Sequence, residues 1–154
     1  MLEERVARCR KALQEQVSAA VVLSPENRFY LTGMRTSAGM VVLTGEDGWF
    51  FTDFRYIEAA RKKVTHLRVE LIEGGYPAAA QRILEMAGVQ SCGIEDASMS
   101  VAEYRRFEQA LGMELVGVSQ IFSTLRSVKE KEEIRAIKKA QAEKAAAAKK
   151  AAEE

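Results

Sequence analysis

Between residues 2 and 16, Leu2, Val6, Cys9 and Leu13 recur at helical spacing among Arg, Glu and Lys, which predicts a helix with one apolar stripe. Residues 18–23 (SAAVVL) are short, apolar and partly β-branched, the pattern of a buried strand. Ser24-Pro25-Glu26-Asn27 ends that strand and opens a short helix, with Ser24 as N-cap and Pro25 in the first helical position, running to Thr32-Gly33. Residues 39–44 (GMVVLT) form a second predicted strand. Gly45-Glu46-Asp47-Gly48 is turn chemistry, and residues 49–52 (WFFT) return antiparallel to it. Asp53 stands where an N-cap belongs, ahead of FRYIEAARKK, with Arg55 and Tyr56 as local scaffolding around it. Residues 68–72 alternate as a strand, Gly74-Gly75 is a break, and residues 76–87 are helical with Gly88 just past the end. A strand at 91–95, a helix at 100–111 opened by the capping box Ser100/Glu103, and a last strand at 114–118 follow.

A strand, a short helix, a hairpin and then helix–strand units predict an α/β domain: a mixed sheet of about six strands covered by helices. The hairpin excludes a purely parallel sheet, and no G-x-G-x-x-G follows any strand. From Ser127 the pattern changes. Val128, Ile134 and Ile137 mark one side of a helix that Ser127 is placed to cap, and beyond Ala140 nothing larger than Ala remains among the apolar residues. The division expected is a domain over residues 1–126 and a linker helix over 127–154. The Ala/Lys/Glu-rich end has high helix propensity and nothing to pack with, and reads as an idealised or engineered extension.

Composition narrows the function classes. The 154 residues are 47% hydrophobic and 29% charged, with 23 basic and 22 acidic side chains. A chain of this length buries about two-thirds of its unfolded surface, enough for a core without staples. A net charge of +1 provides no basic field for nucleic acid or an anionic membrane, so neither is an expected partner. The run from Val17 to Leu23 is far shorter than the roughly 20 residues a membrane span needs. The charged N-terminus lacks a signal-peptide apolar segment, and Cys9 and Cys92 read as reduced core residues of a cytoplasmic protein.

Candidate chemistry is thin. The single histidine, His66, has no Cys-x-x-Cys partner for zinc and no G-x-S-x-G elbow for a triad, and reads as a surface or edge residue. Glu95-Asp96 at a strand end, with Asp53, raises the possibility of a two-carboxylate Mg²⁺ nuclease centre, which the missing acid in the first strand and the missing basic surface oppose. Gly74-Gly75 precedes a helix, but Pro77 removes one of the donors an anion cradle needs. On residue chemistry alone the expectation is that the chain has no catalytic residue and no metal ligand.

Three strings, in order, resemble one family. Asn27-Arg28-Phe29-Tyr30-Leu31-Thr32-Gly33 resembles the N-x-x-Y-L-T-G segment near the start of X-Pro dipeptidases (prolidases), X-Pro aminopeptidases and creatinase. Thr52-Asp53-Phe54-Arg55-Tyr56, with Ala59-Ala60, resembles their T-D-x-R-Y-x-x-x-A corner. Leu125-Arg126-Ser127-Val128-Lys129, with Glu132-Glu133-Ile134 and Ala140, resembles the L-R-x-x-K passage leading into their catalytic domain. The resemblance implies a ribonuclease-H-like mixed sheet in this chain. In family members a second, pita-bread domain follows, which holds two divalent ions (Mn, Co or Zn) through two Asp, one His and two Glu and cleaves the bond before proline. No position here matches those ligands, so no cofactor is implied for this chain itself. The resemblance further implies a homodimer in which this domain docks on the parent's catalytic domain and covers the partner's active-site mouth. Proline-containing peptides are then met only through the parent enzyme. Arg35, Thr36 and Ser37, in the Gly-flanked loop 33–39, are the implied substrate-contact candidates. The alternative is a pseudo-peptidase module that binds peptide or protein, as in a histone chaperone's large subunit, and the absence of a strongly acidic surface disfavours a basic histone partner.

Overall fold

The structure is a computed structural model that describes residues 1–128 and 131–153. Its elements are α1 (Leu2–Gln14), β1 (Ala19–Val22), α2 (Pro25–Thr32), β2 (Met40–Thr44), β3 (Gly48–Thr52), α3 (Ile57–Lys63) and β4 (Arg68–Leu71). They continue with α4 (Tyr76–Ala87), β5 (Ser91–Ile94), α5 (Val101–Leu111), β6 (Glu114–Gly117), α6 (Ser119–Ser127) and α7 (Lys131–Glu153). Residues 1–123 form one compact unit and 124–154 a second. In the second, Val128 is exposed and Ile134 and Ile137 are about as exposed as each other, near 39%. Lys129, part of the third family-like string, lies outside the described residues.

Six strands form one mixed sheet in the order β4-β3-β2-β1-β5-β6, the α/β architecture the alternation of elements predicts. β1 pairs antiparallel with β2 and parallel with β5, while β3 is antiparallel to β2 and parallel to β4. With β5 and β6 also parallel, every strand except β2 points the same way. One end of the sheet therefore gathers the C-terminal ends of β1, β3, β4, β5 and β6. The central strands are buried along their whole length, which is why AAVV and MVVLT read as unbroken apolar runs. The edge strands β4 and β6 are partly exposed and carry charge at Arg68, Glu70 and Glu114, which discourages edge pairing. On one face Ala79, Ala80, Ile83 and Leu84 of α4 pack on Val21, Val42, Trp49 and Phe51. Each large side chain so buried contributes roughly 1.5–3 kcal/mol.

Several local expectations hold. Ser24 caps α2 by accepting from the Asn27 amide at 3.3 Å, and Gly33 ends that helix in the left-handed region at φ 73°. Ser100 and Glu103 form the capping box of α5. Three differ. The helix after β3 starts at Ile57 with Tyr56 in the N-cap position, not at Phe54 behind an Asp53 cap. The Asp53 carboxylate instead accepts from the Arg55 amide at 2.9 Å and from the Arg55 guanidinium at 2.7 Å, closing a turn that precedes the helix. Secondly, residues 119–127 form α6, an element the sequence reading leaves out. Ile121, Phe122 and Leu125 stand at helical spacing there, and the cap comes from far along the chain: Asp96 accepts from the Ser119 amide at 3.1 Å. Thirdly, Ser127 is the last residue of α6, where its hydroxyl donates to the Thr124 carbonyl at 2.6 Å, rather than the cap of the helix that follows.

Candidate functional site: the loop-bearing end of the sheet

In an open α/β sheet a ligand enters outside the carboxyl ends of the strands, where neighbouring connections diverge. Here that point lies between β1 and β5: the chain leaves β1 through α2 toward β2 on one side, while β5 lies on the other. The N-terminus of α2 stands at this crevice, a natural seat for an anion. The protein fills it with its own carboxylate. Glu95, 2% exposed, accepts from the Leu23 amide at 2.5 Å, the Ser24 amide at 2.9 Å, the Ser24 hydroxyl, and the Asn27 side-chain amide at 2.7 Å.

One turn further along α2, Arg28 is 5% exposed and spends its guanidinium on backbone carbonyls: Leu23 at 2.6 Å, Gly39 at 3.3 Å and Thr36 at 2.8 Å. Burial pulls its pKa down, opposed by the Tyr76, Glu95, Glu26 and Tyr56 charges. The loop 33–39 is thus anchored at Thr36 and Gly39. It is also gripped from β3's side, where the Tyr56 hydroxyl lies 2.9 Å from the Ser37 hydroxyl and accepts from the Ser37 amide at 3.3 Å. The Ser37 contacts lower the Tyr56 pKa.

The three sequence candidates come out differently within this one loop. Arg35 is exposed and lies over the Phe29 ring at 4.3 Å. Ser37 is exposed and tied to Tyr56, and Thr36 is half-buried with its side-chain oxygen sealed from solvent and unpartnered. Beside them Phe54 stands 83% exposed at the tip of the Asp53–Arg55 turn. The Arg55 guanidinium holds the Asp53 carboxyl below the usual range. Sequence reasoning treats Arg28 as an ordinary helix residue.

The remaining candidates scatter. His66 Nε2 sits 2.6 Å from the Leu31 carbonyl, on the last turn of α2. Glu95 and Asp96 point apart, one into the α2 corner and the other onto α6, so they form no carboxylate pair. Among the described residues no group of three His, Cys, Asp or Glu side chains could hold a metal ion. The donors present therefore do not fit a dinuclear centre: each of these carboxylates is already committed to backbone or guanidinium partners. Burial pushes the Cys9 thiol up to about 11 and Cys92 to about 12, so neither is a thiolate nucleophile near neutral pH. At the opposite end of the sheet a cleft of about 840 Å³ is floored by Trp49 and edged by Arg68 and Asp47. It contains none of the sequence candidates.

This arrangement, a mixed sheet whose loop-bearing end is closed by hydrogen bonds from buried charged groups, defines a scaffold that presents the loop 33–39. Residues 5–128 match the family model described as "Creatinase/Prolidase N-terminal domain", and the chain belongs to that family. It is 30% identical over 125 residues to the "Uncharacterized peptidase YqhT" of Bacillus subtilis (strain 168), covering 80% of this chain and 35% of that protein. It is 29% identical over 141 residues to a "Putative Xaa-Pro aminopeptidase" of Mycoplasma genitalium, covering 90% of this chain and 38% of that protein. The chain thus spans little more than a third of these curated relatives. Among solved structures, the Xaa-Pro dipeptidase from Bacillus anthracis superposes with a TM-score of 0.82 at 24% identity, over 88% of this chain and 38% of that one. The N-terminal domain of the cytoplasmic peptidase PepQ from Mycobacterium tuberculosis H37Rv gives 0.72 at 24% identity, over 79% of this chain and 98% of that one. These likenesses establish the fold. No helix among the described residues is long and apolar enough to cross a membrane.

Proposed function

We propose that the chain serves as the non-catalytic N-terminal domain of a prolidase-like dinuclear metallopeptidase, an X-Pro dipeptidase or aminopeptidase. In that reading residues 1–126 are the domain and 127–154 a linker helix toward a catalytic domain, where two divalent ions (Mn, Co or Zn) reside. The domain acts in the cytoplasm by supporting a homodimer and shielding the active site. Of the candidates Arg35, Thr36 and Ser37, the exposed Arg35 and Ser37 meet the polar groups of a bound peptide, while Thr36, its hydroxyl sealed from solvent, fastens the loop through its carbonyl on Arg28. The observation that carries the reading is the loop 33–39: it is fastened at Thr36, Ser37 and Gly39, yet turns Arg35 outward on an aromatic prop. Such fastening holds the outward Arg35 in place, as binding residues on loops are positioned by a rigid scaffold. The relatives' own descriptions, a peptidase and an Xaa-Pro aminopeptidase, support the enzyme class.

The test is direct. Purified chain, supplied in turn with Mn²⁺, Co²⁺ and Zn²⁺, is expected to leave X-Pro dipeptides intact, with sedimentation showing a concentration-dependent dimer. Turnover that scales with the chain after removal of contaminating peptidase overturns the non-catalytic assignment. A monomer at all concentrations overturns the dimer.

A further inference from the structure

We infer that Glu95 and Arg28 form a buried positioning relay that sets the 33–39 loop; this rests on reading that loop as the peptide-facing part of the domain. The two charges act on the two sides of one residue. Glu95 accepts the Leu23 amide at 2.5 Å, and Arg28 donates to the Leu23 carbonyl at 2.6 Å. From there the guanidinium crosses to Thr36 and Gly39 in the loop. A displacement of β5's end at Glu95 is thereby transmitted through the β1–α2 corner to the backbone on both sides of Ser37. Neither charge is neutralised by direct contact with the other. Glu95 is held by amide and side-chain dipoles at the start of α2, where the helix's positive end favours the carboxylate, and Arg28 by the carbonyls of Leu23, Thr36 and Gly39.

Stability alone does not call for this arrangement. A buried ionic group is commonly replaced by packed apolar side chains with no loss of stability. This one also leaves capacity unused: Arg28 Nε, Asn27 Oδ1 and Thr36 Oγ1 are all sealed from solvent without a partner. Unpaired buried groups of this kind are costly, and they concentrate on the residues that join α2 to the loop. What the relay provides instead is a fixed loop geometry. The stem of Arg28 also runs along Gly39, where a Cβ would lie 3.5 Å from Arg28 Cδ and 3.2 Å from the Phe51 carbonyl, so the loop's exit is pressed between the guanidinium stem and β3.

Amide hydrogen exchange on the intact chain tests the relay, because it separates the loop from the core. The reporters are the Met34 and Ser37 amides, which donate to the Thr32 hydroxyl and the Tyr56 hydroxyl. Arg28→Met is expected to speed their exchange about tenfold to a hundredfold relative to amides of β1 and β2, the scale of a lost charge-assisted hydrogen bond. Glu95→Ala, on the far side of Leu23, is expected to release the same two amides. Added formate, entering the pocket that Glu95 lines with Ser24 and Met99, should restore them. If Arg28→Met does not fold, Arg28→Lys keeps the charge but cannot span the three carbonyls, and the same selective release is expected at smaller size. Equal acceleration of loop and core amides in these variants overturns the relay, as does a Glu95→Ala chain whose loop stays protected. The peptide-facing reading fails separately: Arg35→Ala in the assembled parent enzyme would leave peptide affinity unchanged while the exchange pattern stands.

Discussion

Two corners of the sheet carry the same pair of groups, a carboxylate and a guanidinium at a strand-to-helix turn, and use them in opposite ways. At the end of β3, Asp53 and Arg55 meet directly, two residues apart, in contact with water. At the ends of β1 and β5, Glu95 and Arg28 are nearly dry, come from distant parts of the chain, and are joined through the N–H and C=O of one residue, Leu23, rather than to each other. An exposed pair of this kind shapes a turn and contributes little to stability, because water and salt screen it and side-chain entropy opposes it. The buried pair organises three chain segments at once, because a dry charge draws its solvation from protein dipoles and so dictates where those dipoles stand. The difference also explains the chemistry of this end of the sheet. The position where an open α/β fold accepts an anionic ligand is already taken by Glu95, and the surface left to present is the loop above it.

The contrast breaks most readily at Glu95. Replacing it by Ala leaves the Leu23 and Ser24 amides and the Asn27 side chain without that acceptor, and leaves Arg28 with one opposite charge fewer nearby. The expected loss is about 3–5 kcal/mol, read from the urea midpoint. A loss below about 1 kcal/mol, the range of a surface pair, would erase the distinction between the two corners.

Asp96 is the intermediate case, an exposed carboxylate with a packing obligation. It caps α6 through Ser119, and Gly117 makes room for it: a Cβ there would lie 2.5 Å from the Asp96 Cγ. Gly117→Ala should therefore displace the carboxylate and cost about 1–2 kcal/mol, the scale of a lost helix cap. In an Asp96→Ala background the same substitution should cost little, a non-additivity that a double-mutant cycle measures directly. Full additivity would show that the glycine serves the backbone alone.

How much of this was legible in the sequence follows the same division between local and distant causes. Ser24, Gly33, Gly88 and the Ser100/Glu103 box are local signals, and each sits where the spacing places it. The buried runs of β1 and β2 are legible because both faces of a central strand are apolar. What the sequence hides is pairing across the chain. Asp53 looks like a cap, and only the Arg55 contact shows that it closes a turn instead. α6 is started by Asp96, which is 23 positions before Ser119. Arg28 and Glu95 read as an ordinary helix arginine and a candidate metal carboxylate, since nothing local reveals that their partners lie 68 to 72 positions away for Glu95 and 5 to 11 for Arg28. The family-like strings locate the loop and its candidates Arg35, Thr36 and Ser37. The structure shows how unlike those three neighbours are: one propped outward, one turned into the protein, and one tied to a tyrosine.

The smallest expected effect belongs to the exposed corner, and pH brings it out. Hydrogen bonding and charge from Arg55 depress the Asp53 pKa in the folded chain. A depressed carboxylate contributes stability that is present above its unfolded value, about 3.9, and is lost as pH falls through the lower folded value. Asp53→Asn should therefore be slightly less stable than the parent chain at pH 7, and the gap should close as the pH is taken below the ordinary aspartate range. Added salt should narrow the same gap at pH 7, since the pair is open to solvent. Parallel urea titrations of the two proteins across that range provide the measurement. A gap that widens on acidification would mean that protonated Asp53 holds the turn better than the ion pair does, and that the contrast between the wet corner and the dry one has been drawn in the wrong place.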